Sequence, residues 1–75
     1  MKEIKITNSK ALGAEVRFSR KQQELTQMEL SRLANTGVRF ISDLENCKPD
    51  VSLSKQLSVI YALVMELRIV NKWSD

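Results

Sequence analysis

Arg39, Ser42, Asp43 and Asn46 fall at i, i+3, i+4 and i+7 within the segment VRFISDLEN. On a helix these positions share one face, while Ile41 and Leu44 point elsewhere. A guanidinium can bond guanine O6 and N7 together, which makes Arg39 the first candidate for reading a base edge. Ser42 can bond either a base or a phosphate. Asp43 could accept from cytosine N4, or instead orient Arg39 as an i, i+4 pair. Val38, just before them, could touch a thymine methyl. The plain alternative for such a stripe is a solvated helix surface, and the surroundings of the stripe decide between the two.

Those surroundings read as two short helices joined by a tight turn. Thr26 can cap a helix over residues 27–34, and Glu29 three positions on completes a capping box. Leu30, Leu33 and Ala34 give that helix an inner face. Asn35-Thr36-Gly37 then breaks it, since Asn and Gly tolerate a positive φ. Ile41 and Leu44 turn a second helix, residues 38–46, inward. This is helix-turn-helix geometry, whose second helix fits a DNA major groove. Gln27 stands in the first turn of the leading helix, where free backbone N–H groups favour an anion. Asn46 and Lys48 flank the end of the second and could grip a phosphate backbone there. Contacts of that kind position a protein without specifying sequence. Lys21 and Arg32 are weaker candidates, because exposed basic residues more often only solubilise.

The rest of the chain must hold this pair of helices. Residues 3–7, EIKIT, alternate polar and apolar and suit a short strand. Asn8 or Ser9 can cap a helix running to about residue 24, with Leu12, Val16 and Ser19 on its inner edge. Gly13 in its middle fits a close contact with another helix. Pro49 ends the reading helix. Asp50 or Ser52 can start a last helix, whose Leu53, Leu57, Ile60 and Leu63 repeat as a buried stripe. Residues 65–70, MELRIV, alternate like a half-buried strand, although a continued helix is also open to them. Phe18 and Phe40 are expected in the core, and an exposed Phe18 would point to a protein interface.

Seventy-five residues suit one small domain, with 43% hydrophobic and 28% charged residues, as in an ordinary globular protein. A chain of this size buries only about 60% of its unfolded surface, so oligomerisation would help it. The net charge of +3 agrees with a polyanionic partner without demanding one. With one cysteine, Cys47, and no histidine, an internal disulfide is excluded and a structural zinc site is not expected. One basic neighbour, Lys48, is weak support for a reactive thiol. The first residues lack an apolar stretch of signal-peptide type, and no apolar run approaches the roughly 18 residues that span a bilayer. A cytoplasmic location without membrane contact is expected. Nothing resembles a glycine-rich phosphate loop or a paired-carboxylate centre, so neither enzyme activity nor a cofactor is expected.

The run TQMELSRLA, a turn, and a helix ending in LENCKP resemble the lambda-repressor-like, or Xre-type, helix-turn-helix family. The likeness spans roughly residues 12–67. The finer pattern GVRFISDLENCKP, followed by VSLSKQLSVIYAL, is similar to the HipB-type antitoxins. The resemblance implies an all-α domain of four to five helices with a short C-terminal strand for dimerisation. It implies a phosphate contact at Gln27, and an internal salt bridge between Arg20 and Glu45 that locks the first helix to the third. The family usually has Gly at the positions of Cys47 and Val64, so each must either adopt a positive φ or change the local turn.

The expected function is therefore that of a sequence-specific transcriptional repressor. It would bind a palindromic double-stranded operator as a homodimer, and residues 65–70 would pair across the two-fold. As a HipB-type antitoxin it would control its own operon and partner a HipA-type kinase toxin. A phage-type repressor or excision regulator shares this chemistry. A protein-interaction antitoxin that keeps the fold with little DNA affinity is the reading from a different class.

Overall fold

The computed structural model describes residues 3–48, 52–66, 68–69 and 72–73, and their regular structure is four helices. They are α1 (Ser9–Gln22), α2 (Gln27–Leu33), α3 (Val38–Glu45) and α4 (Leu53–Ala62). Three of them start on a side-chain cap, which satisfies N–H groups that a helix start leaves bare. Asn8 Oδ1 accepts from the Ala11 N–H at 2.8 Å. Thr26 Oγ1 accepts from the Glu29 N–H at 3.0 Å, and the Thr26 N–H donates to the Glu29 carboxylate at 2.8 Å, completing the expected capping box. The backbone hydrogen bond from Thr26 holds the Glu29 carboxyl below its usual range. Ser52 caps α4.

All four helices end in the same way. After α1, Glu24 N–H donates to Lys21 O and Leu25 N–H to Arg20 O; Asn35 and Thr36 repeat this after α2, Cys47 and Lys48 after α3, Val64 and Met65 after α4. These are Schellman closures, each with one residue in the left-handed region. The residues there are Glu24, Asn35, Cys47 and Val64, with φ of 56°, 56°, 63° and 59°, and none is glycine. Cys47 and Val64 therefore adopt the positive φ that the missing glycines raised as one option. In the α2–α3 turn Asn35 alone takes it, while Gly37 is extended and serves as the N-cap of α3.

Val16, Leu30, Ile41, Val59 and Leu63 are fully buried, joined by Ala34, Leu44 and Ile60. Burying an aliphatic side chain of this size stabilises by about 1.5–3 kcal/mol, and this shared cluster is what holds four short helices together. α3 packs against both α1 and α2, and α2 also packs against α4. Gly13 sits where α1 crosses α3. A Cβ there would stand 2.4 Å from Leu44 O and 3.1 Å from Cys47 Sγ, so only glycine permits this approach.

Several expectations need correction. Leu33 and Leu53 are 62% and 63% exposed, because α2 turns Leu30 and Ser31 inward and α4 turns Val59, Ile60 and Leu63. Phe18 is exposed, on the edge of α1 away from the core. α1 stops at Gln22 and not near residue 24. Residues 3–7 form no strand, since nothing among the described residues pairs with their backbone. Met65, Glu66, Arg68 and Ile69 form neither strand nor continued helix; Leu67 and Val70 of that stretch, and Pro49 and Asp50 before α4, lie outside the described residues.

Val64 is β-branched, 88% exposed and left-handed, with no packing to offset the backbone cost of about 1–2 kcal/mol. Glycine there would relieve that cost and lose about 0.5–1 kcal/mol to its freer unfolded chain. Val64→Gly is expected to raise stability by roughly 1 kcal/mol in urea unfolding; an unchanged or lower midpoint would refute this.

Candidate nucleic-acid interface

α3 carries the candidate reading face, and its backing is a buried polar cluster. Arg20, in the last turn of α1, donates from Nε to Glu45 Oε2 at 2.6 Å and from Nη2 to Glu45 Oε1 at 3.1 Å. The side chains are 10% and 3% exposed. Arg20 Nη1 donates to Leu25 O at 2.8 Å, and Gln27 Nε2 donates to Glu45 Oε1 at 3.1 Å. The fork thus ties the end of α1, the α1–α2 loop, the start of α2 and the end of α3 to one carboxylate. Its hydrogen bond to Glu45 raises the Arg20 pKa above its already high ordinary value, so the guanidinium stays charged. The salt bridge that the resemblance implied is therefore present. The Gln27 bond was not foreseen, and the eighteen-residue separation of its partners gave no sequence signal for it.

The opposite face of α3 is open. Arg39, in its first turn, is exposed and makes no ion pair among the described residues. Val38 beside it is 38% exposed. Ser42 and Asp43 are half-buried and Asn46 is exposed. Asn46 Nδ2 donates to Ser42 Oγ at 3.4 Å. Asp43 pairs with Lys48 at 3.5 Å, so of its two expected roles the orienting of Arg39 is not adopted. The structure thus brings Val38, Arg39, Ser42, Asp43, Asn46 and Lys48 to one side of α3. Gln27, half-buried, lies at the start of α2 with its amide turned to Glu45.

Two supporting contacts escaped the sequence reading. Lys55 in the first turn of α4 stands 5.8 Å over the Phe40 ring, which pins α4 to the start of α3. Gln23 Nε2 donates to Leu63 O at 2.8 Å and ties the end of α1 to the end of α4. Neither pair has a spacing that a local pattern could reveal. Among the described residues no group of His, Cys, Asp and Glu could hold a metal ion, and no helix is long and apolar enough to cross a membrane.

Two short helices at a tight turn, the second braced from behind and presenting polar side chains outward, define a helix-turn-helix domain. No protein-family profile matches the chain. Over 59 residues, 79% of this chain and 78% of the relative, it is 44% identical to an uncharacterised HTH-type transcriptional regulator, y4mF, of Sinorhizobium fredii. This chain belongs to the HTH-type transcriptional regulators. Its fold is that of HipB: it matches a solved HipA–HipB–O2–O3 complex with a TM-score of 0.84 at 21% identity, covering 93% of this chain and 99% of that one. A HipB–O4 20mer complex gives the same TM-score, identity and coverage.

Removing one partner of a buried charge pair costs about 3–5 kcal/mol, because the other charge is left unpaired. Glu45→Ala is expected to cost that much in urea unfolding, and Gln27→Ala about 1–2 kcal/mol. In the double variant the Gln27 increment should vanish, since its acceptor is gone. Additive losses would show that the amide gains its stability elsewhere.

Proposed function

We propose that this regulator is a sequence-specific, dimeric DNA-binding repressor of HipB type that controls its own operon and partners a HipA-type kinase toxin. The observation that carries the reading is the open face of α3. Arg39 is exposed in the first turn, where a reading helix reaches deepest, and the Arg20–Glu45–Gln27 cluster fixes the rod from behind. In this reading Val38, Arg39, Ser42 and Asp43 meet base edges, while Gln27, Asn46 and Lys48 meet phosphates. Gln27 Nε2 keeps a second N–H beyond the one given to Glu45, and Lys48 lies at the protein surface. Complexes of HipB with operator DNA and with HipA are among the structures of this fold, which supports both partners.

The dimer seam in this reading is residues 65–70. Val64, Ile69 and Trp73 are strongly exposed around it, and Met65 packs partly on the core. Arg68 pairs with Glu3 at 2.6 Å on the surface, so the N-terminal segment lies beside the tail. The alternating pattern of residues 65–70 beside exposed Ile69 and Trp73 suits strand addition by a second copy.

A gel shift on the chain's own upstream region tests the DNA contacts. Arg39→Ala should weaken specific binding by about 1–3 kcal/mol and relax one base position, whereas Lys48→Ala should weaken all sequences alike and lower the salt slope by about one. Equal losses on specific and random DNA for both variants would defeat these roles. Deleting residues 65–75 should abolish dimerisation and operator binding together, and an intact dimer in sedimentation would refute the seam.

A further inference from the structure

α1 has an outer face that neither the core nor the reading helix uses. Lys10, Arg17 and Lys21 stand at i, i+7 and i+11, on one side of that helix. All three are exposed, and none enters an ion pair among the described residues. They border a shallow groove of about 400 Å³ between α1 and the exit of α3. Glu45 reaches its wall, but that charge is already opposed by Arg20. The groove therefore keeps three uncompensated cations. Its remaining lining is apolar: Ala14, Phe18 and Cys47. Phe18 is 55% exposed, although an aromatic ring of this size normally finds the core, and it stands on the ridge between this groove and a second one lined by Leu12, Ile60 and Met65.

We propose that this groove docks an acidic protein segment carrying an apolar anchor side chain. An exposed aromatic ring beside an arginine is the composition of energetic centres in protein interfaces. The cationic border complements acidic residues and rejects basic ones. A phosphate backbone would satisfy the cations and leave Phe18 in water. The groove also sits off the reading side: none of Arg39, Ser42, Asp43 and Asn46 lines it. A segment seated there leaves the open face of α3 free, so protein and DNA can be held at once.

The test uses the full chain and a short fluorescein-labelled peptide of alternating Glu and Leu, read by anisotropy at low salt. The peptide should bind, and a Gln–Leu counterpart should bind at least about tenfold more weakly. Arg17→Glu and Phe18→Ser should each weaken the Glu–Leu peptide by at least about tenfold, with thermal melts confirming that both variants fold. Phe18→Ser should leave gel-shift affinity for the upstream DNA unchanged. Equal peptide affinity across wild type and variants would overturn the proposal. So would an Arg17→Glu variant whose DNA salt slope falls by about one, which would assign the stripe to phosphates. The peptide arm is decided whether or not the chain binds DNA, so its failure is separable from failure of the repressor reading.

Discussion

One buried carboxylate organises this domain. Glu45 takes two bonds from the Arg20 fork and one from Gln27, and Arg20 spends a further donor on Leu25 O. Neither charge could remain in so dry a place alone, so each enforces the position of the other. The planar guanidinium makes that enforcement directional, since a two-pronged bond fixes angle as well as distance. The pitch of α3 against α1 and α2 follows from it. Hydrophobic contact brings the helices together, but aliphatic surfaces tolerate small rotations that a fork does not. Gly13 adds the complementary constraint, allowing α1 to lie directly on the α3 backbone.

The helix ends show a different balance. Four Schellman closures satisfy late carbonyls of each described helix, and each is made without glycine in the left-handed conformation. Asn tolerates it best, and a β-branched Val tolerates it least. Each closure satisfies two helix-end carbonyls, which offsets that backbone cost without glycine. The fold is therefore held by its turns at less than their attainable stability.

The features legible in the amino-acid sequence were those with local causes. Thr26 and Glu29 announce a capping box because both of its bonds close within three residues. Gly13 marked a close approach, whereas the positive φ at Cys47 and Val64 was raised only by the family resemblance, which places Gly at both positions. The errors fell where tertiary context decides. Leu33, Leu53 and Phe18 all fit an apolar stripe, but a small core covers only the centre of such a stripe and leaves its margins wet. The alternation in residues 3–7 promised a strand, yet a strand exists only with a partner edge, and no period supplies one. At the candidate interface, the shared face of Arg39, Ser42 and Asn46 followed from helix geometry alone. The Gln27–Glu45 bond and the Lys55–Phe40 contact join elements that only folding brings together.

The brevity of α3 has an informational consequence. Its eight residues make a rod of about 12 Å, a length that matches only about four base pairs at roughly 3.4 Å each. Four fully read positions recur by chance about once in every 256 steps of random sequence, far too often to single out one locus among the millions a genome offers. In the proposed repressor, selectivity would therefore come from multiplying two such short words at a fixed distance, and the spacing between paired rods would be as much a part of the address as the letters each one reads.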